Sequence, residues 1–344
     1  MRIGILTGGG DCPGLNAVIR AIVRKGESLH GDEFIGFLDS WDGVLEQRFI
    51  HLDTPAVRGL LPRGGTILGT RRGSPLDHAD GLDRMRACFA DQQLDALIVI
   101  GGNGSMAVTS LLHERTGLPM VGIPKTIDND VAGTDITFGF HTAVQIATDA
   151  IDRLHTTAES HDRVMVVEVM GRDAGWIAAY AEIAGGATVI LVPEVPFEIA
   201  EVSDIVAGRH NRGRYASVVV VAEGARPRPG TMQFPEYETD EIVRPRYGGI
   251  SVHIAAEIER RTPYEARVVQ IGHVQRGGTP SAYDRILSTR FGLGAIDAVH
   301  AGDFGHMVAL HCSRITRVPL ADVVGRVRTV DLDLFRDVAD VFFG

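Results

Sequence analysis

Lysine is almost missing from this chain of 344 residues: Lys25 and Lys125 stand against thirty-two arginines. A coding bias toward arginine accounts for the surface. It also makes the position of each lysine informative, because lysine is a compact point charge where arginine is a planar fork. Cysteine is scarce as well. Cys12, Cys88 and Cys312 are scattered and odd in number, which suggests neither a disulfide framework nor a zinc site. No apolar run approaches the roughly 20 residues a membrane helix needs, so no membrane partner is expected. Positive charge is not in excess: the net charge of −10 argues against a dedicated nucleic-acid partner. No basic segment with an apolar signal core stands before the first strand-like run, and the chain reads as cytoplasmic. Two phosphate signatures are absent too. A Walker A loop needs glycine before its lysine, and Lys125, the one lysine followed by serine or threonine, follows Pro124. The dinucleotide fingerprint fails because Pro13 stands where the glycine after Gly8 and Gly10 belongs, which argues against a dehydrogenase.

What is present is alternation. Short apolar runs, "RIGILT" (2–7), "LDALIVIGG" (94–102), "PMVGIP" (119–124), "RVMVVEVM" (163–170), "TVILVPE" (188–194), "ASVVVVAEG" (216–224), "ARVVQIG" (266–272) and "MVALHC" (307–312), read as strands. Amphipathic segments follow several of them. Leu15, Val18, Ile19, Ile22 and Val23 fall on one helical face. Continuous Val/Ile runs separated by helices imply parallel strands covered on both faces, an α/β doubly wound architecture. The length suits two domains. The stretch 225–249, rich in proline, glycine and charge, reads as an exposed excursion. A faint echo links "TGGGDCPGLNAVIRA" with "VMGRDAGWIAAYA"; duplicated halves would produce it, and so would any two strand-to-helix turns.

Three strand-to-helix turns are rich in glycine: "TGGGDCPG" (7–14), "GGNGS" (101–105) and a turn split between "RGGT" (63–66) and "TRRGS" (70–74). Glycine lets backbone N–H groups and a helix N-terminus approach an anion closely. One such turn reads as a strand end; three in one half of an α/β chain point to a polyphosphate site. "PKTIDND" (124–130) adds a lysine, a threonine and two aspartates. On an extended backbone Asp128 and Asp130 point the same way, and crowded carboxylates call for a cation or a proton between them. Taken alone, the pair also reads as a solvated turn or a helix cap.

"LTGGGDCPGLNAVIR", "GGNGS", "PKTIDND", "VEVMGR", "AEG" and "IGHVQRGGTPSAYDR", in this order, resemble the phosphofructokinase family from the first strand to about residue 325. The resemblance implies two similar doubly wound domains with largely parallel sheets and the active site in the cleft between them. Residues 1–139 with about 275–325 would hold the nucleotide or phosphoryl donor, and 140–274 with about 326–344 the sugar. The implied reaction carries a phosphoryl group from ATP or pyrophosphate to the 1-hydroxyl of fructose 6-phosphate with Mg2+. The implied assembly is a homo-oligomer, usually a tetramer, with sites shared between subunits. Such chemistry needs a carboxylate to take the hydroxyl proton and cations on the moving group. By resemblance Asp128 is that base, Thr126 contacts the transferred group, and Lys125 faces the donor. Asp130 orients the sugar or a magnesium-bound water. Arg172 stabilises the migrating phosphoryl, for which a planar guanidinium is suited. Met170 and Gly171 line the sugar, and Glu223 accepts its hydroxyls. Arg163, Arg267, His273 and Arg276 hold the 6-phosphate, with Arg163 and Arg267 coming from a neighbouring subunit. Gly10, Arg72, Gly73, Gly102, Asn103, Gly104 and Ser105 fall on donor-binding positions. Taken singly, each arginine reads as a surface charge and His273 as a packed or capping histidine.

The chain departs from the family's pattern in places. Gly104 is similar to ATP-using members, where a side chain would collide with the α-phosphate, whereas Lys125 is similar to pyrophosphate users. Sterics at residue 104 favour ATP. Asn103 replaces the acidic residue that acts on magnesium, so weaker magnesium affinity and a lower rate are expected; a weakly catalytic sugar-phosphate-binding paralogue is the rival reading. Arg20 and Arg24 fit a nucleotide-effector cluster, but Thr54 and His155 stand where arginines belong and Thr188 where an acid does. Regulation by ADP or phosphoenolpyruvate is expected to be weak or absent. Trp41 either stacks on adenine or packs.

Overall fold

The computed structural model describes residues 1–232, 249–333 and 337. Most of the excursion expected over 225–249, and the end of the second domain from 334 on apart from 337, lie outside the described residues.

The chain opens with β1 (Arg2–Thr7), α1 (Leu15–Lys25), β2 (Glu33–Phe37), α2 (Trp41–Leu45), β3 (Phe49–Leu52) and α3 (Gly81–Asp91). It continues through β4 (Ala96–Gly101), α4 (Asn103–Thr116), β5 (Met120–Pro124), α5 (Phe140–His161), β6 (Val164–Val169) and α6 (Trp176–Gly185). Then come β7 (Val189–Leu191), α7 (Ile199–Asn211), β8 (Ser217–Ala222), α8 (Ile250–Arg261) and β9 (Ala266–Gln270). After these come α9 (Ala282–Ala301), β10 (His306–His311), β11 (Arg314–Pro319) and α10 (Leu320–Val323).

Two compact units share these elements: Met1–Thr142 with Arg276–Val327, and Ala143–Gln275 with the chain from Arg328 on. The first unit holds a seven-stranded sheet in the order β11-β10-β5-β4-β1-β2-β3. Its five central strands are parallel, and β3 and β11 close the two edges antiparallel. The second unit holds an all-parallel sheet in the order β7-β8-β6-β9. Mostly parallel sheets follow from the Val/Ile runs: every residue of β4, β6 and β8 is buried, as strands covered on both faces require.

Three strands were not expected from the sequence. β3 and β11 lie at the sheet edges, where one flank meets solvent and an apolar run is not demanded; β11, "RITRVP", is largely exposed or half-buried. β2, paired on both sides, is buried in four of its five residues and is simply a short run interrupted by Gly36. The helical stripe of α1 is as expected, with Leu15, Val18, Ile19, Ile22 and Val23 all fully buried. Each buried aliphatic contributes about 1.5–3 kcal/mol over leaving it in water. Gly14, at φ +109°, starts this helix, and a Cβ there would stand 2.5 Å from Ser288 Oγ of α9. Only glycine accepts both that backbone and that neighbour. The expectation for 63–74 holds only in part: the segment does lie between β3 and α3, but within a long, mostly irregular connection and not in a tight strand-to-helix turn.

Candidate active site

The first unit gathers its polar groups around the turn from β1 to α1. Gly8 N–H donates to Ile100 O (2.9 Å), which seats the turn on the end of β4. Ser105, in the first turn of α4, is buried, and its Oγ would lie 2.7 Å from a Cβ at residue 8. Lys125, at the end of β5, is only 3% exposed, and its ammonium donates to Gly10 O. Burial holds this ammonium below the usual lysine range, and burial pushes the neighbouring Cys12 thiol up. Arg276 lies against the same turn: Nη1 donates to Asp11 O (3.1 Å), and a Cβ on Gly10 would run into the guanidinium.

From Lys125 the chain makes a loop that returns at Phe138, bridged to Lys125. Asn129 is buried; its Oδ1 receives Thr137 N–H (3.0 Å), and Thr137 Oγ1 donates to Thr126 O (2.8 Å). Asp128 N–H donates to Thr126 Oγ1 (3.1 Å). Asn129 has φ +54°. The backbone between the two aspartates is therefore not extended, and the same-side argument for Asp128 and Asp130 does not hold. Asp130 is buried and accepts Asn103 Nδ2 at 2.9 Å. Asn103 opens α4 behind Gly102, and a Cβ on Gly104 would meet no atom of the described residues within 4 Å. Arg72 and Gly73 are exposed, with Gly73 at φ +143°.

The second unit carries its residues at the two opposite ends of its parallel sheet: Met170, Gly171, Glu223 and His273 follow β6, β8 and β9, whereas Arg163 and Arg267 stand where β6 and β9 begin. Gly171, at φ +136°, accepts Gly224 N–H (3.0 Å), and Glu223 N–H donates to Val169 O (2.9 Å), so the end of β8 holds the turn after β6. Met170 is buried and its N–H donates to Gln275 Oε1 (2.8 Å). Arg172 makes a two-pronged pair with Asp173, Nε at 2.9 Å and Nη2 at 2.6 Å. Arg163 and Arg267 converge on one carboxylate, Glu265: Arg163 Nε lies 2.5 Å from Oε2 and Arg267 Nη2 pairs with Oε1. His273 is exposed.

Sequence reasoning missed the buried residues that hold these loops. Asp284, fully buried, accepts both the N–H (2.7 Å) and the hydroxyl (2.5 Å) of Thr142 at the start of α5. Glu168 receives Gly249 N–H and Ser251 N–H at the start of α8. Glu168 and Asp284 stand inside quoted motifs, yet no local spacing signals a cap supplied from 83 or 142 residues away.

Trp41 is buried in the core with Phe37 and Met85, so of its two readings packing holds. Thr54 donates its N–H and hydroxyl to Glu27 Oε2 (2.9 and 2.5 Å). His155 Nε2 meets Gly185 O at 2.7 Å, and Thr188 Oγ1 accepts Val218 N–H at 3.2 Å. The polar groups at these three departures from the family pattern are engaged within the fold. No helix among the described residues is long and apolar enough to cross a membrane.

The family described as Phosphofructokinase matches residues 2–299. The chain is 56% identical over 344 residues, the whole of both proteins, to the pyrophosphate–fructose 6-phosphate 1-phosphotransferase of Streptomyces coelicolor. It is 54% identical over 330 residues, 96% of each protein, to ATP-dependent 6-phosphofructokinase 3 of the same organism. A pyrophosphate-dependent phosphofructokinase from Nitrosospira multiformis has the same fold, with a TM-score of 0.86 at 20% identity over 100% of this chain and 92% of that one.

Proposed function

Since the chain belongs to the phosphofructokinase family and is a phosphofructokinase, we propose that it uses ATP to phosphorylate the 1-hydroxyl of fructose 6-phosphate. Identities of 56% and 54% to proteins named for the two donors leave overall similarity unable to choose between them. The observation that favours ATP is the open space at Gly104. Gly104 is the second residue of α4, and among the described residues nothing beyond its own helix backbone and chain neighbours lies within 4 Å of a Cβ there. A donor phosphate lying in that space would account for the glycine. Pyrophosphate is the second reading, supported by Lys125, whose buried ammonium adds positive charge to the glycine turn.

In the proposed chemistry Asp128 takes the proton as the 1-hydroxyl O–H bond breaks. The sugar oxygen then bonds to the γ-phosphorus, and the bond from that phosphorus to the β–γ bridging oxygen breaks, releasing ADP. Arg172 carries the charge spread over the transferred group, aided by Thr126. Met170, Gly171, Asp130 and Glu223 hold the sugar; Arg163, Arg267, His273 and Arg276 hold its phosphate. Gly10, Arg72, Gly73, Gly102, Asn103 and Ser105 face the donor.

Magnesium fits only as an ion carried mainly by donor phosphates. Among the described residues no three His, Cys, Asp or Glu side chains form a metal cage, and Asp130 accepts a hydrogen bond from a neutral amide. Mg2+ commonly binds through one carboxylate, waters and phosphates, and Asp130 would hold it through water. Bound there, it neutralises phosphate charge. The convergence of Arg163 and Arg267 on Glu265 supports reading them as one patch offered to a neighbouring copy in a homo-oligomer, a tetramer by family analogy. The family's soluble glycolytic role supports a cytoplasmic protein.

Turnover of the purified protein with each donor, across magnesium concentrations and beside N103D, tests this reading. ATP turnover above pyrophosphate turnover is expected, with N103D gaining rate at low magnesium. The reverse donor order overturns ATP, and silence with both overturns the function.

A further inference from the structure

Residues 63–73 carry Arg72 and Gly73 but contain no strand or helix, only turns and irregular backbone. Something else must hold this segment in place. Asn16, in the first turn of α1, is 1% exposed. Its Nδ2 donates to Arg63 O and Gly64 O, both at 3.1 Å, and its Oδ1 accepts Ile67 N–H at 2.9 Å. Both ends of one buried amide thus serve a single segment 47 or more positions away. Thr7, at the end of β1, continues the clasp: its hydroxyl donates to Gly69 O (2.7 Å) and lies 3.1 Å from Thr66 Oγ1. Thr70 Oγ1 donates to Gly9 O (2.6 Å), and Gly9 N–H donates to Arg71 O (3.4 Å). Leu68, fully enclosed, adds an apolar anchor. Behind the segment, a Cβ on Gly64 would collide with Gly278 O, so there is no room to drift that way.

We propose that Asn16, seconded by Thr70, is a positioning residue for the phosphoryl donor: it fixes the 63–73 segment against the glycine turn and so sets where Arg72 meets the donor phosphates. The inference rests on the reading of this unit as the donor side. A neutral amide suits the task because it offers two donors to carbonyls and one acceptor to an N–H at once. Aspartate keeps the shape and the acceptor but loses both donors and sets an anion against two carbonyl oxygens. Arg72 and Gly73 then shift relative to residues 8–10 while the sugar-binding residues of the second unit keep their own supports.

The test is steady-state kinetics of the full chain as N16D and as T70V, with thermal unfolding measured alongside. Expected is a roughly tenfold rise in KM for the donor the wild type uses, from lost hydrogen bonds, with KM for fructose 6-phosphate within about twofold. T70V removes only a half-buried hydroxyl, so it decides the matter alone if N16D fails to fold. Donor and sugar KM rising together, or an unchanged donor KM in a folded variant, overturns the inference while leaving the activity in place. A wild type that turns over neither donor overturns the reading of the activity and this inference with it.

Discussion

The turn from β1 to α1 and the turn from β6 to α6 share a lettering, a strand end followed by glycine, aspartate, glycine and a helix, yet they use their polar groups differently. In the first, cations point inward: Lys125 onto Gly10 O and Arg276 onto Asp11 O. The buried polar residue of its helix, Asn16, has its amide engaged at both ends. In the second, Arg172 has a side chain 38% exposed that pairs with its own neighbour Asp173. The buried polar residue of its helix, Glu182, has no hydrogen-bond partner for either carboxyl oxygen among the described residues. Burial pushes that carboxyl up to about 9. One turn is fixed before any ligand arrives. The other keeps its cation in contact with water and carries a costly buried group in the helix behind it; the proposed role of Arg172 on a moving phosphoryl would suit such an exposed side chain.

The comparison breaks hardest at the chemistry. D128N, in the fixed unit, is expected to lower kcat about 10³-fold, the scale of a lost general base, with the KM for fructose 6-phosphate nearly unchanged. A loss under about tenfold in steady-state assays would remove Asp128 from that role. R172K comes next. A point charge replaces a planar fork, and kcat should fall about 100-fold; wild-type rates would mean that the exposed guanidinium does not touch the reacting group. The smallest effect concerns stability. The folded Glu182 carboxyl titrates at about 9 against an ordinary 4.5, so as pH rises the unfolded chain releases its proton first. Stability is greatest below the lower value and declines as pH rises toward the upper one. E182Q should flatten that decline and raise the unfolding midpoint near pH 8 by roughly 5 °C. A mutant with the wild-type slope would mean that the carboxyl is ionised in the fold.

Much of this was legible in the chain itself. The central strands announce themselves because burial on both faces demands unbroken Val/Ile runs, and the α1 stripe because one face must be apolar. β3 and β11 stayed hidden at the sheet edges, where that demand lapses, and β2 because its buried run is only four residues long and interrupted by Gly36. The motif residues could be named from the resemblance of their motifs to a known family, but their geometry could not. A period-two argument put Asp128 and Asp130 on one side, and the left-handed turn at Asn129 undid it. Trp41 could not be assigned until the core around it was known.

By itself, then, the sequence determined the α/β class, the family and the set of residues that bear charge. Those are properties of local pattern, carried by neighbours a few positions apart. Only the tertiary structure decided which of the charges lie buried, that Asn103 ties down Asp130, and that Asn16 holds a segment some fifty residues further along. Such bonds join groups distant in the chain, and their strength depends on how much water the surrounding fold excludes, which no short stretch of sequence encodes.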